Sequence, residues 1–341
     1  MNEQRDLRRS QNFIRDEALI ERLVARSGIG PADLVYDLGA GTGNLTAALA
    51  RRARSVVAVE KDPALAETLR RRFRESANVT VREADLFSQA SSSEDHVVFA
   101  NPPFDRTADL LARLTEAETP PRLAVLVLQR EAADRYLGRP RTSLRSALLA
   151  PHFEIDLLHR FARTDFVPRP SVDAVLVALR KRDPPLVAPS EAQLYRDLVV
   201  ACFVAGRSIF DPSRRATDLT HDEWLTLFRR FRALPRSVRR AVFGAEARLA
   251  REQARQVKIH RAREPRDALP RSSRAETLPE RARPEVGGPG AMDHGGERAP
   301  RELAYRARLR ADPLREHRLR PRHEHRRVRW PLRVADVALD Q

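Results

Sequence analysis

Between residues 34 and 179, short apolar runs alternate with stretches of helical period, and that alternation restricts the chain to few architectures. The runs fall at 34–36, 55–59, 79–81, 97–100, 123–128, 154–161 and 172–179; those at 97–100 and 123–128 read as buried strands. Helices are predicted between them. One starts at an Asp16 cap with Leu19, Ile20, Leu23 and Val24 on one face, and another runs from an Asn44 cap to about Arg52. Others cover 63–73, 107–114 and 131–137. Seven strands alternating with helices, the last two lacking a full helix between them, predict an α/β sheet.

The strand ends carry the chemistry. Asp37-Leu38-Gly39-Ala40-Gly41-Thr42-Gly43 follows the first strand, and such glycines let backbone approach a ligand at a helix N-terminus. Tight strand–helix turns also use glycine for steric reasons alone. A dinucleotide fingerprint needs a small residue three places after the second glycine, and Asn44 stands there, which disfavours an NAD site. Glycine spacing of this kind after an acidic residue resembles the cofactor loop of Rossmann-like methyltransferases. Glu60, ending the second strand, can accept from two ribose hydroxyls; Asp85, after the third, can accept from an adenine amine. Taken singly, each could be a solvated strand-end carboxylate, but together they face the edge where open α/β sheets bind ligands.

Asn101-Pro102-Pro103-Phe104 ends the fourth strand. A polar residue, two prolines and an aromatic are poor core material, and a prolyl ring fixes φ while removing an N–H. The stretch reads as a rigid ligand-facing turn. An adenine N6 amine is a poor nucleophile because its lone pair is delocalised. The Asn101 side-chain oxygen and the Pro102 carbonyl can hold its two N–H bonds and free that lone pair, while Phe104 stacks on the base. Base–aromatic stacking contributes about 1–3 kcal/mol. Phe166, in Phe166-Val167-Pro168-Arg169-Pro170, is a candidate second wall, and Asp165 beside it reads as a surface residue.

From about Ser190 to Leu249 the period is helical alone: Leu194, Leu198, Val199 and Phe203 form one stripe, and Trp224, Leu227, Phe228 and Phe231 another. These read as the core of a small helical domain. Arg229, Arg230, Arg232, Arg236, Arg239 and Arg240 crowd the same region. The formal charge is +16, and only Lys61, Lys181 and Lys258 among the 63 basic residues are lysines. Guanidinium forks suit phosphate oxygens. Residues 251–341 hold 23 Lys/Arg against 14 Asp/Glu, have no sustained period, and read as a largely disordered tail in which 332–339, near Trp330, can form a short docked element. The expected domains are thus 1–185 for catalysis, 186–250 for RNA binding and 251–341 as tail. Cys202 is the single cysteine, so neither an intrachain disulfide nor a cysteine metal site is expected. A charged N-terminus and no 18-residue apolar run predict a soluble, cytoplasmic protein without membrane spans.

Ser10-Gln11-Asn12-Phe13, the 37–43 loop, Glu60, Glu83-Ala84-Asp85, Asn101-Pro102-Pro103-Phe104 and Phe166-Val167-Pro168-Arg169-Pro170 occur in the order of the rRNA adenine N6-dimethyltransferases. The resemblance covers about residues 8–245 and is similar above all to the Erm branch, which methylates 23S rRNA and confers macrolide–lincosamide–streptogramin B resistance. It implies a Rossmann-like S-adenosyl-L-methionine-dependent methyltransferase fold with a seven-stranded sheet and a small all-helical C-terminal domain. It also implies that Asn12, Ile14, Gly39, Gly41, Glu60, Asp85 and Asn101 contact S-adenosylmethionine, and that Asn101, Pro102, Phe104 and Phe166 hold a flipped-out adenine. The expected partner is 23S rRNA before full ribosome assembly, met by a monomer with no metal. Most relatives have an aliphatic residue and Tyr where this chain has Pro102 and Phe104. The double proline is familiar from Erm enzymes of macrolide producers and from DNA adenine methyltransferases. A housekeeping 16S rRNA dimethyltransferase and a non-catalytic RNA-binding or ribosome-assembly factor on the same fold are the alternatives, with a DNA adenine methyltransferase as a third.

Overall fold

The computed structural model describes residues 12–88 and 94–263, apart from the side chains of Asp105 and of 256–263. Ser10, Gln11 and everything from residue 264 on, including Trp330 and 332–339, lie outside the described residues. Of the described residues, those up to Glu246 belong to one compact unit and those from Ala247 to a second.

The seven expected strands form one sheet: β2 (Leu34–Leu38), β3 (Ser55–Glu60), β4 (Val79–Glu83), β5 (Val97–Ala100), β6 (Leu123–Gln129), β7 (Phe153–Arg160) and β9 (Ala174–Lys181), in the order β4-β3-β2-β5-β6-β9-β7. The first five are parallel neighbours, and β9 is antiparallel to both β6 and β7. A two-residue ribbon that sequence periodicity could not reveal pairs β1 (Phe13–Ile14) with β8 (Phe166–Val167).

Alternate strand residues face opposite layers. Val35, Val56, Val97, Phe99 and Val125 pack with Leu19, Ile20, Leu23 and Val24 of α1 (Glu17–Ser27) and Ala48 and Leu49 of α2 (Asn44–Ala50). Tyr36, Val57, Val98, Ala100 and Leu126 pack with Leu110, Leu111 and Leu114 of α4 (Thr107–Thr115) and with Tyr136 of α5 (Arg130–Leu137). Both faces are therefore covered, as continuous apolar strands require. Every residue of β5 is at most 1% exposed. Burial of a large apolar side chain is worth about 1.5–3 kcal/mol, so β5 is a firm post for whatever follows Ala100.

Asp16 caps α1 as predicted, accepting from Ala18 N–H at 2.8 Å. The cap of α2 is Gly43 rather than Asn44. Gly43 adopts φ 87°, and a Cβ there would lie 2.7 Å from Leu69 and 2.8 Å from Phe73 of the neighbouring helix α3 (Pro63–Arg72) and its end. Asn44 is already helical and accepts from Arg72 at 2.8 Å. The last strand begins at Ala174, not Val172, because its partner strand ends at Gln129 and turns into α5 at Arg130, whose N–H makes one last bond to the Asp173 carbonyl at 2.8 Å. A short helix α6 (Leu144–Leu149), started by a Ser143/Ser146 capping box, is new; its Leu144, Ala147 and Leu148 make an apolar face, but over six residues too short a one to stand out as a period.

Beyond the sheet, α7 (Ala192–Ala205), α8 (His221–Arg232) and α9 (Arg236–Arg239) bring both expected stripes into one core. Trp224 is fully buried, and Phe203 stacks on it with ring centroids 5.6 Å apart. Ala147 of α6 joins this core, and the Tyr195 hydroxyl donates to its carbonyl at 2.8 Å. Helix α10 (Ala245–Arg263) continues past the expected end near Leu249, because its Ala, Arg, Gln and Glu residues favour helix without an apolar stripe. Among the described residues no helix is long and apolar enough to cross a membrane.

Candidate active site

Strand register assembles the site. Leu38 pairs with Val59 on one side and Ala100 on the other, so Gly39, Glu60 and Asn101 leave the sheet at one level. Glu60 pairs with Glu83, which puts Asp85 two residues beyond the same edge. Chain order reverses between β2 and β5, the place where open sheets leave a crevice.

The loop after β2 is pinned from below. Gly39 and Ala40 N–H both donate to the Val59 carbonyl, at 2.8 and 3.0 Å. Gly39 has φ 84°, and a Cβ built on it would meet nothing within 4 Å, so open space lies over this bare backbone. Gly41 has φ 56° and donates its N–H to Glu60 Oε2 at 2.8 Å. Glu60 Oε1 accepts from Lys61 and Asp62 N–H, both at 2.9 Å. Three of the roughly four acceptor positions of this carboxylate are therefore filled by backbone. Asp37, beneath the loop, is 1% exposed and accepts from Thr46 Oγ1 at 2.6 Å. Burial raises its pKa to about 7, against the Thr46 hydrogen bond, and the Glu60 charge raises it further.

Asp85 is more open, with 39% of its side chain exposed. Its Oδ1 accepts from Phe87 N–H at 2.9 Å, and its Oδ2 lies 3.3 Å from Lys61 Nζ. Sequence reasoning missed Lys61 and also Arg106, whose guanidinium sits 4.3 Å from the Phe87 ring centroid. Ordinary surface spacing carries no signal for either contact.

At the turn after β5, Asn101 Nδ2 donates to the Asn12 carbonyl at 2.7 Å. That bond fixes the amide's orientation and leaves Oδ1 as the acceptor. Pro102 is buried. The Pro103 carbonyl closes the turn by accepting from Arg106 N–H at 2.9 Å, whereas the Pro102 carbonyl takes no backbone hydrogen bond among the described residues. Phe104 opens a single 3₁₀ turn into α4 and packs against the cluster that contains Ile14 and Phe166. Phe166 itself is only 2% exposed, with Phe161 against it at 4.9 Å between centroids. Asn12, Ile14, Asn101, Phe104 and Phe166 are thus brought together, but the Phe166 face is closed. Asp165 is half-buried and structural: its Oδ2 accepts from Ala162 N–H at 2.8 Å.

A family profile described as "Ribosomal RNA adenine dimethylase" matches residues 2–216. The chain belongs to the ribosomal RNA adenine dimethylases. It is 32% identical over 209 residues to the ribosomal RNA small subunit methyltransferase A of Bacillus mycoides, covering 58% of this chain and 72% of that one. The Thermotoga petrophila protein of the same name is 29% identical over 239 residues, covering 65% and 90%. Among solved structures, the 23S rRNA methyltransferase ErmE superposes with a TM-score of 0.60 at 28% identity, covering 64% of this chain and 99% of that one. A dimethyladenosine transferase from Plasmodium falciparum shares the fold, with a TM-score of 0.57 at 20% identity, covering 64% and 97%.

This dimethylase is an S-adenosylmethionine-dependent enzyme that methylates rRNA adenine, built on a Rossmann-like sheet with a helical C-terminal region. The residues present suit that cofactor: bare backbone under open space at Gly39, beside the open carboxylate of Asp85 and a Glu60 carboxylate that keeps about one acceptor position rather than the two expected for a ribose.

Proposed function

We propose that this enzyme is of the Erm type and methylates N6 of an adenine in 23S rRNA, conferring macrolide–lincosamide–streptogramin B resistance. The observation that carries this reading is the ErmE match, which spans nearly all of that enzyme. The Asn101-Pro102-Pro103-Phe104 turn supports it.

Gly39, Gly41, Glu60 and Asp85, with Asn12, Ile14 and Asn101 across the crevice, would hold the cofactor. When bound, S-adenosylmethionine supplies an electrophilic methyl on a sulfonium. Asn101 Oδ1 and the Pro102 carbonyl accept the two N–H bonds of the amine, aiming its lone pair and matching the positive charge that develops on nitrogen. Phe104 stacks on the base. Phe166 becomes the opposite wall once the base parts it from the apolar cluster. Extruding the base costs a few kcal/mol, roughly, which stacking offsets. Arginines of residues 186–250 and of the tail contact phosphates, so binding weakens with salt. The enzyme acts as a cytoplasmic monomer on 23S rRNA before ribosome assembly is complete.

The small subunit methyltransferases that the chain resembles support a second reading, a 16S rRNA target. Primer extension on 23S and 16S rRNA from a macrolide-sensitive host expressing the enzyme separates the two. A stop at the macrolide-site adenine, with resistance lost in Asn101→Ala, is expected. A stop only near the 16S 3′ end, without resistance, would overturn the Erm reading.

A further inference from the structure

Phe13 was not among the expected site residues, yet its ring lies on the glycine loop while the backbone just before it reaches the Asn101 turn. A Cβ built on Gly41 would lie 2.5 Å from Phe13 Cε1 and 3.3 Å from Cδ1, so the ring rests directly on bare backbone. Real Cβ atoms do not approach so closely, and the contact exists because residue 41 is glycine. On its far side Gly41 is held by Glu60, through the 2.8 Å bond from its N–H. One residue before Phe13, the Asn12 carbonyl holds the Asn101 amide at 2.7 Å and so sets which way Oδ1 faces. One residue after it, Ile14 pairs with Phe166, and Arg15 N–H donates to the Asp165 carbonyl at 2.8 Å. An unbroken series of contacts therefore runs Glu60, Gly41, Phe13, Asn12, Asn101.

The ribbon that carries Phe13 is two residues long on each strand, and isolated two-stranded pairing is marginal in water. Its position depends on what its side chains rest upon. A ligand on the glycine loop fixes Gly41, and Gly41 fixes the ring above it. The ring in turn fixes the height of the Asn12 carbonyl against Asn101. A base held by Asn101 acts back along the same contacts.

We infer that Phe13 is a positioning residue that couples the two sites, so that cofactor occupancy sets the affinity for the target adenine and the converse. This rests on assigning the 39–43 loop to the cofactor and Asn101 to the amine. Linkage makes the effect reciprocal, and couplings of this kind typically span about 5- to 150-fold.

The test uses the full chain and the unreactive product S-adenosylhomocysteine. RNA affinity is measured by fluorescence anisotropy with and without saturating S-adenosylhomocysteine, on whichever protein-free 23S or 16S rRNA fragment the enzyme methylates. For the wild type the two RNA affinities should differ at least about fivefold. Phe13→Ala should bring their ratio to near one, and Phe13→Tyr, which keeps the ring, should restore it. A merely structural Phe13 would weaken both affinities and leave their ratio unchanged, which would overturn the inference; so would the absence of coupling in the wild type. If Phe13→Ala does not fold, Phe13→Leu, which keeps apolar volume but loses the flat ring, takes its place with the same expected ratio. Should Asn101→Ala retain full methylation, the assignment of the amine site fails. Should Asn101→Ala be inactive while Phe13→Ala keeps the wild-type ratio, only the coupling fails.

Discussion

The sheet edge and the helical region each bury charge, and they do so differently. In the helical region, Asp197 is 4% exposed and accepts from Gly244 and Glu246 N–H at 2.9 and 3.0 Å, so two backbone donors at the start of α10 hold it. Around it the core is apolar and aromatic, and Arg229, Arg230, Arg232, Arg236 and Arg240 are exposed. At the sheet edge two carboxyl groups sit under one glycine loop. Glu60 meets three backbone donors, while Asp37 meets one hydroxyl. Backbone amides offset the desolvation of an anion, whereas a lone hydroxyl offsets little of it. The helical region is thus built for stability. The edge keeps an under-compensated acid beneath bare glycine backbone, a cost that functional sites carry more often than scaffolds do.

The largest expected effect breaks the stability side of this contrast. Trp224→Ala empties the centre of the helical core, where large-to-small changes at aromatic sites cost about 3–5 kcal/mol. Urea denaturation should show that loss, while S-adenosylhomocysteine affinity of the folded fraction stays within about twofold, since Trp224 contacts no part of the glycine loop. A large drop in that affinity would show the two regions to be one functional unit. Asn101→Ala tests the other side. Removing one preorganised electrostatic partner costs about 10²- to 10³-fold in kcat. Its stability cost should stay near the value of one half-buried hydrogen bond, about 1 kcal/mol. Single-turnover methylation and thermal melts of the same preparation check both numbers.

The same contrast explains what could be read from the chain. The parallel strands β2, β3, β5 and β6 and the antiparallel β9 were legible as continuous buried apolar runs, and the half-exposed edge strands β4 and β7 as shorter apolar stretches; parallel register then aligned Gly39, Glu60 and Asn101 without further information. The core stripes from Leu198 to Phe231 were legible for the equivalent helical reason. Contacts between residues distant in the chain were not. The ribbon at Phe13–Ile14 is too short to have a period, and the seat of Phe13 on Gly41 depends on an atom that glycine lacks. Gly43 replaced Asn44 as cap because packing against Leu69 and Phe73 outweighed side-chain capping preference. The closure of Phe166 against Phe161 likewise follows from three-dimensional packing, not from its motif.

Asp37 gives the next effect and sharpens the comparison of buried acids. Its pKa is raised from 3.8 to about 7, with burial as the main cause. The folded state therefore holds a proton that the unfolded chain releases. The associated stability is complete below about pH 4 and is lost as pH rises through 7. Asp37→Asn keeps an acceptor for Thr46 and removes the titration. At pH 8 the variant should be the more stable by on the order of 2 kcal/mol, about half of what about 1.36 kcal/mol per pKa unit gives over a shift from 3.8 to about 7. At pH 4 the difference should largely vanish. Equal differences at both pH values would mean that Asp37 does not titrate in this range.

The smallest effect belongs to the helical surface, where charge is paired in the open. Arg214 Nη1 and Nη2 meet Glu223 Oε1 and Oε2 at 2.7 and 3.1 Å, and both side chains are 40% exposed. The Arg214 hydrogen bond, followed by that from Thr220 N–H, lowers the Glu223 pKa to about 2. The sign is opposite to that of Asp37: this stability is present above about pH 4.5 and is lost as pH falls towards 2. Solvent screens a pair this exposed, so Arg214→Gln should have only a small cost in stability at pH 7. In 1 M salt, where the Debye length is about 3 Å, most of that cost should disappear. The Thr220 N–H bond at 2.8 Å survives the substitution and keeps the capping box of α8 closed. A cost as large as that expected for Asp37, insensitive to salt, would place this pair with the buried charges of the sheet edge and remove the distinction between the two regions.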